Sequence, residues 1–231
     1  TQTGSEFRTD FDGHANPFCI GESHTDCTQT DPQETDTLVE LQVDAPQCSD
    51  LDEKVFNKKS TGITPGRYTN MVQPNGDLTF APGLYCFEAG AKFTGSDAIL
   101  VSGDSLEGIT IYVTGGDFEI GGSMLMNLRA PRQGAVNSGL AVPGLLLFTP
   151  EDYTGKVSFL GNANSYLRGT IYVPAGDLDI GGSSYTNDWS AQMLARWVKV
   201  HGGTILKLDY VDDDLFWDDG EISLPLLDVY Q

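Results

Sequence analysis

The chain has 231 residues, with 33 acidic against 13 basic side chains and a formal charge of −20. That length supplies one domain with a real core. A surface so acidic repels phosphate backbones and anionic headgroups, which argues against nucleic acid and anionic membrane surfaces as partners. No apolar run approaches the length of a membrane span, so no direct membrane span is expected.

Residues 1–64 are polar and weakly periodic, and they read as an irregular N-terminal cap. TLVELQV (37–43) is the one strand expected there. The chain opens on Thr1 with no signal peptide, and the expectation is a processed product. Four cysteines, Cys19, Cys27, Cys48 and Cys86, suggest disulfides and an oxidising compartment. Of three pairings, Cys19–Cys27 with Cys48–Cys86 is favoured. The first closes a short loop and the second ties the N-terminal segment to the β body. His14, Cys19, His24 and Cys27 would also suit tetrahedral Zn²⁺, but their spacing is not that of a familiar finger.

From residue 65 the texture changes. Short β-branched and aromatic runs alternate with Gly turns, as in LYCFEAG, ITIYVTGG, GTIYVPAG and RWVKVHGG. WSAQMLARWVKV (189–200) runs into β-branched residues and Gly-Gly, and is read as mostly strand.

An internal repeat decides the fold class. TIYVTGGDFEIGGS (110–123) and TIYVPAGDLDIGGS (170–183) agree at ten of fourteen positions, sixty residues apart. GDLTF (76–80) precedes GDFEI (116–120) by forty. A common register of twenty places Phe80, Leu100, Ile120, Leu140, Leu160, Ile180 and Val200 in one apolar ladder. Stacked apolar residues of this kind make a continuous core from coils that cannot bury their inner faces alone. The expectation is an all-β, right-handed parallel β-helix of about seven coils over residues 65–214, followed by a capping or subunit-linking tail at 215–231. An antiparallel β-sandwich is the alternative, but it does not predict near-identical segments in a common register.

These residues resemble the repeat body of bacterial surface proteins of Tad-type pilus loci, the TadG-like group. The likeness rests on Pro65-Gly66-Arg67-Tyr68, Pro82-Gly83-Leu84-Tyr85, Gly108 to Tyr112 and Gly169 to Pro174, and it covers roughly residues 63–210. The resemblance implies an exported, membrane-tethered or surface-assembled β-helix. Residues 1–231 contain no segment resembling that group's N-terminal anchor, and the sequence is unusually acidic.

Candidate chemistry is sparse. Asp212, Asp214, Asp218 and Asp219 offer hard oxygen ligands to calcium, without EF-hand spacing, and are more simply a solvated acidic cap. Asp77, Asp117 and Asp177 follow glycines and are expected to cap turn amides of stacked coils. Tyr112 and Tyr172, at equivalent repeat positions, would suit sugar stacking or an internal aromatic stack. Arg129, Arg132, Arg168 and Arg196 fall in different registers of twenty, and no paired carboxylates stand out, so no catalytic residue is assigned.

The expected function is an extracellular structural or adhesive surface protein, a filament subunit or pilus-associated adhesin. Self-association or other surface proteins would be its partners. The alternative is a β-helix that binds or cleaves polysaccharide.

Overall fold

The computed structural model describes residues 5–7, 48–95, 98–122, 124–136, 138–161, 165–182, 187–202, 206–208 and 214–216. They form a parallel β-helix of the expected class, and no α-helix occurs among them. Each coil passes through three faces, here A, B and C in chain order. The right-handed crossover is the hand that twisted strands favour.

Face A stacks Glu53–Lys54, Gly66–Tyr68, Gly83–Phe87, Ile109–Val113 and Leu145–Phe148, then the central parts of the long strands Tyr166–Gly182 and Asn187–Gly202. Face B stacks Val72, Ala91–Gly95, Phe118–Gly122 and Lys156–Gly161, then 177–182 and 197–202. Face C stacks Gly62–Ile63, Leu78–Phe80, Ala98–Val101 and Leu125–Arg129, then the starts of the two long strands, then Leu206–Leu208. Faces A and C therefore carry seven rungs each among the described residues. Stacking begins at Glu53, upstream of residue 65. Ser5–Phe7 joins antiparallel to Leu206–Leu208 at the other end.

The core follows from strand alternation: every second side chain points inward and meets its equivalent on the next rung. Ile111, Leu147 and Ile171 stack inside face A. Phe93, Ile120, Phe159 and Ile180 stack inside face B. Phe87, Phe118, Phe159 and Trp189 form an aromatic column with centroids 5.9–6.4 Å apart. Such tilted and offset pairs add to the area they bury.

The uniform register of twenty is corrected by this pairing. Ile120 lies between Phe93 on the preceding rung and Phe159 on the following one. Both steps exceed twenty, and the second is nearly double it. Phe159 then pairs with Ile180, close to the expected interval. The sixty-residue duplication thus spans two unequal coils, not three equal ones. Leu100 pairs with Thr79 and Asn127 and points outward, 37% exposed; the inward partner of Phe80 is Val101. Leu140 sits in the loop before Leu145–Phe148 and is 61% exposed. Leu160 is out of phase with the core and pairs with Gly181. Only Ile180 and Val200 pair at the expected interval of twenty. The physical reason is that stacking constrains the strands and leaves corner length free. GDLTF and GDFEI also occupy different faces, C and B.

Corners are tight where coils touch. Gly116 turns the chain from face A to face B at φ +69°, and a Cβ there would lie 2.5 Å from the Ala89 backbone of the coil below. Only glycine suits both demands. Asp77 and Asp117 cap backbone amides of the next coil, with Ala98 N and Lys156 N donating at 2.7 and 2.9 Å. The Tyr68 and Tyr85 hydroxyls each donate to the carbonyl just before the preceding proline, Thr64 O and Ala81 O, both at 2.6 Å. Cys48 and Cys86 form the favoured disulfide, with a sequence separation of 38, fixing the entry segment to face A. Cys19 and Cys27, with the 37–43 strand, lie outside the described residues.

Candidate functional site

Two polar assemblies stand out on the solenoid. The first covers the outer surface of face B. Three consecutive rungs, KVSFLG, DLDIGG and WVKVHG, place their alternate side chains outward in register. Across the rungs this gives Lys156, Asp177 and Trp197 in one row. Ser158, Asp179 and Lys199 form the next, and Leu160, Gly181 and His201 the third.

Asp179 is the centre of this grid. It lies on the outer surface yet is only 6% exposed. Its carboxylate pairs with Lys156 Nζ, and His201 Nε2 lies 2.7 Å from its Oδ1. The imidazole reaches it by lying over Gly181, where a Cβ would come 2.8 Å from the ring. Arg196 bonds Asp177 at 3.0 Å, and Lys92 bonds Glu119 at 2.8 Å two rungs further down the same face. Lys199 makes no ion pair among the described residues. Trp197 is 68% exposed on the last rung of face B. An indole beside alternating donors and acceptors is suited to a flat polar ligand with one apolar side.

The second assembly is the corner between faces C and A. Arg129 and Arg168 are paired across rungs, and Arg168 is paired with Ser190 above it. Arg129 donates to five carbonyls of the 101–107 segment, those of Val101, Ser102, Gly103, Asp104 and Glu107, at 2.8–3.1 Å. Arg168 donates to Ser105 O and Ala130 O. Burial pulls both guanidinium groups below their ordinary pKa, and neighbouring acids oppose that. Of the four arginines placed in different registers, Arg129, Arg132 and Arg168 meet at this corner, and Arg196 lies on face B with Asp177.

Asp214 completes this corner and corrects its reading as a calcium ligand. Its carboxylate is 2% exposed, bonded to Arg132 Nε and Ser190 Oγ, and 3.5 Å from Arg168 Nε. Buried between two guanidinium groups, its charge is already balanced by arginine, and a metal cation there would be repelled by both. It anchors the C-terminal segment, whose Phe216 N donates to Thr170 Oγ1. Asp212, Asp218 and Asp219 lie outside the described residues. Among the described residues no group of three acidic, His or Cys side chains is arranged to hold a metal.

Tyr112 and Tyr172 are equivalent, as the repeat implies. They face outward on face A and are separated by Phe148, on which Tyr112 stacks at 4.2 Å. The trio packs with Leu145, Val142 and Phe216 in a small cluster of its own, outside the main core. Burial, with Asp152 nearby, raises the Tyr112 hydroxyl above its ordinary pKa.

Sequence reasoning missed the face B grid. The signal was present, because KVSFLG, DLDIGG and WVKVHG share an apolar–x–apolar pattern that aligns Ser158, Asp179 and Lys199. The class of protein is therefore an acidic, disulfide-tied parallel β-helix. No family model matches the chain, and searches of curated proteins and solved structures find no similar protein.

Proposed function

We propose that the chain is an extracellular structural and adhesive surface protein, a filament subunit or pilus-associated adhesin of the TadG-like kind. One observation carries this reading: on the last described rung of face B an inward side chain is left partly exposed. Leu178 is fully buried, whereas Val198, its inward neighbour on the final rung, is 45% exposed. Beyond 192–202 no further rung covers faces A and B among the described residues. A parallel rung whose inward side chain stays partly exposed is a template for another coil. The Cys48–Cys86 bond supports an oxidising compartment. Among the described residues no helix is long and apolar enough to cross a membrane.

The test is negative-stain microscopy of the native protein. Regular filaments, or decoration of a surface appendage, are expected. Isolated molecules with neither would overturn the reading. A second reading, saccharide binding, is favoured by the exposure of Trp197 beside paired charges.

A further inference from the structure

We infer that the last rung of face B is a binding subsite for a short acidic saccharide, with Trp197 stacking on a sugar ring and Lys199 receiving its carboxylate. This names the ligand class of the saccharide-binding reading and rests on it.

Three observations lead there. Trp197, Lys199 and His201 alternate outward along one strand, with Val198 and Val200 between them. Alternate side chains on a strand lie roughly 6.6 Å apart, so an indole and the ammonium two residues on are within reach of one sugar unit. A tryptophan left 68% exposed presents a broad apolar surface to water, and the C–H face of a pyranose covers such a surface while its hydroxyls stay wet.

The polar neighbours set the chemistry. Asp177, directly across the rung from Trp197, is held by Arg196 and keeps acceptor capacity toward solvent. Asp179 is paired with Lys156, and the His201 imidazole lies beside its Oδ1 over Gly181. Lys199 is left as the cation of this row without a carboxylate partner among the described residues. In a chain of net charge −20, an unpaired ammonium beside an exposed indole marks the place where one anionic group is welcome. The same net charge disfavours a long polyanion, whose further carboxylates would meet the acidic surface. At physiological salt the repulsion reaches only about 8 Å, so a single carboxylate at Lys199 is screened from most of it.

The test is calorimetric titration of the full chain with trigalacturonic acid and with neutral galactotriose. The acidic sugar is expected to bind at least tenfold more tightly. Lys199→Gln should abolish that preference while neutral binding persists. Trp197→Ala should abolish binding of both sugars, and Trp197→Phe should retain part of it. Both residues are surface-exposed, and unchanged melting will show that the variants fold. Equal affinity for the two sugars, no binding of either, or full binding by Trp197→Ala would overturn the inference. Filaments that form normally without binding sugar would overturn this inference alone. A monomer that binds the acidic sugar would overturn only the assembly reading.

Discussion

Arg129 and Arg168 are direct neighbours on adjacent rungs of face C, two like charges stacked at one corner. Their repulsion is offset by backbone carbonyls: five accept from Arg129, and Ser105 O and Ala130 O accept from Arg168. The planar guanidinium fork can serve several acceptors at once, and an ammonium cannot. Arg129→Lys should therefore cost about 2–4 kcal/mol despite keeping the charge, because carbonyls of the 101–107 segment lose their donors. Urea denaturation with circular dichroism measures this. A loss below about 0.5 kcal/mol would show that water replaces the side chain.

Asp214 is the carboxylate that makes the second arginine tolerable. Asp214→Asn removes its charge and leaves Arg168 buried beside Arg132 without compensation. Breaking one partner of a buried ion pair costs about 3–5 kcal/mol. The C-terminal segment should also detach from the corner. Limited proteolysis is expected to cleave near residue 214 in the variant much faster than in the wild type.

Reduction of the Cys48–Cys86 bond should cost about 3–4 kcal/mol, the loop-closure value for a sequence separation of 38. The Cys48→Ser/Cys86→Ala variant should show the same loss and keep its strand signal, since the rungs from Gly62–Ile63 onward do not depend on the entry segment. Chemical denaturation of both forms provides the comparison.

Alkaline pH should loosen the first coils. Burial raises Tyr85 above its ordinary pKa of 10.0, and the nearby Tyr68 adds to the shift. The folded state therefore holds the phenolic proton more tightly than the unfolded chain. This contribution is complete below pH 10.0 and is lost as the pH climbs above it toward the folded value. Tyr85→Phe gives up the bonds to Ala81 O and Ile63 O and should start about 1–2 kcal/mol less stable. Its stability should then fall less steeply above pH 10.0. Melting temperatures across that range, wild type against variant, decide the matter.

The fold was legible because a duplication records stacking directly: Tyr112 and Tyr172 do occupy the same outward position two coils apart, with Phe148 between them. The coil lengths were not. The long step from Ile120 to Phe159 includes the 130–144 loop, which adds chain at a corner and leaves no mark on the strands it joins. A period averaged over long and short coils put Leu100 and Leu140 in the core, though one faces outward and the other lies in that loop. Corner chemistry was hidden for the same reason. Asp214 meets Arg132 and Arg168, both far upstream in the chain, so its acidic neighbours in sequence suggested a cation site where the fold supplies arginines. The Cys48–Cys86 pairing could be read because it needed only the N-terminal segment to lie against the β body.

Coils of unequal length in parallel register make a direct prediction for cross-linking. Lys92 and Glu119 are outward neighbours on adjacent rungs, and both are accessible. A uniform register of twenty would instead place position 119 against Gly139. Lys92→Cys/Glu119→Cys and Glu119→Cys/Gly139→Cys should be treated with a short bis-maleimide and mapped by peptide mass. The solenoid described here predicts efficient bridging of 92 to 119 and little of 119 to 139. The reverse outcome would contradict it.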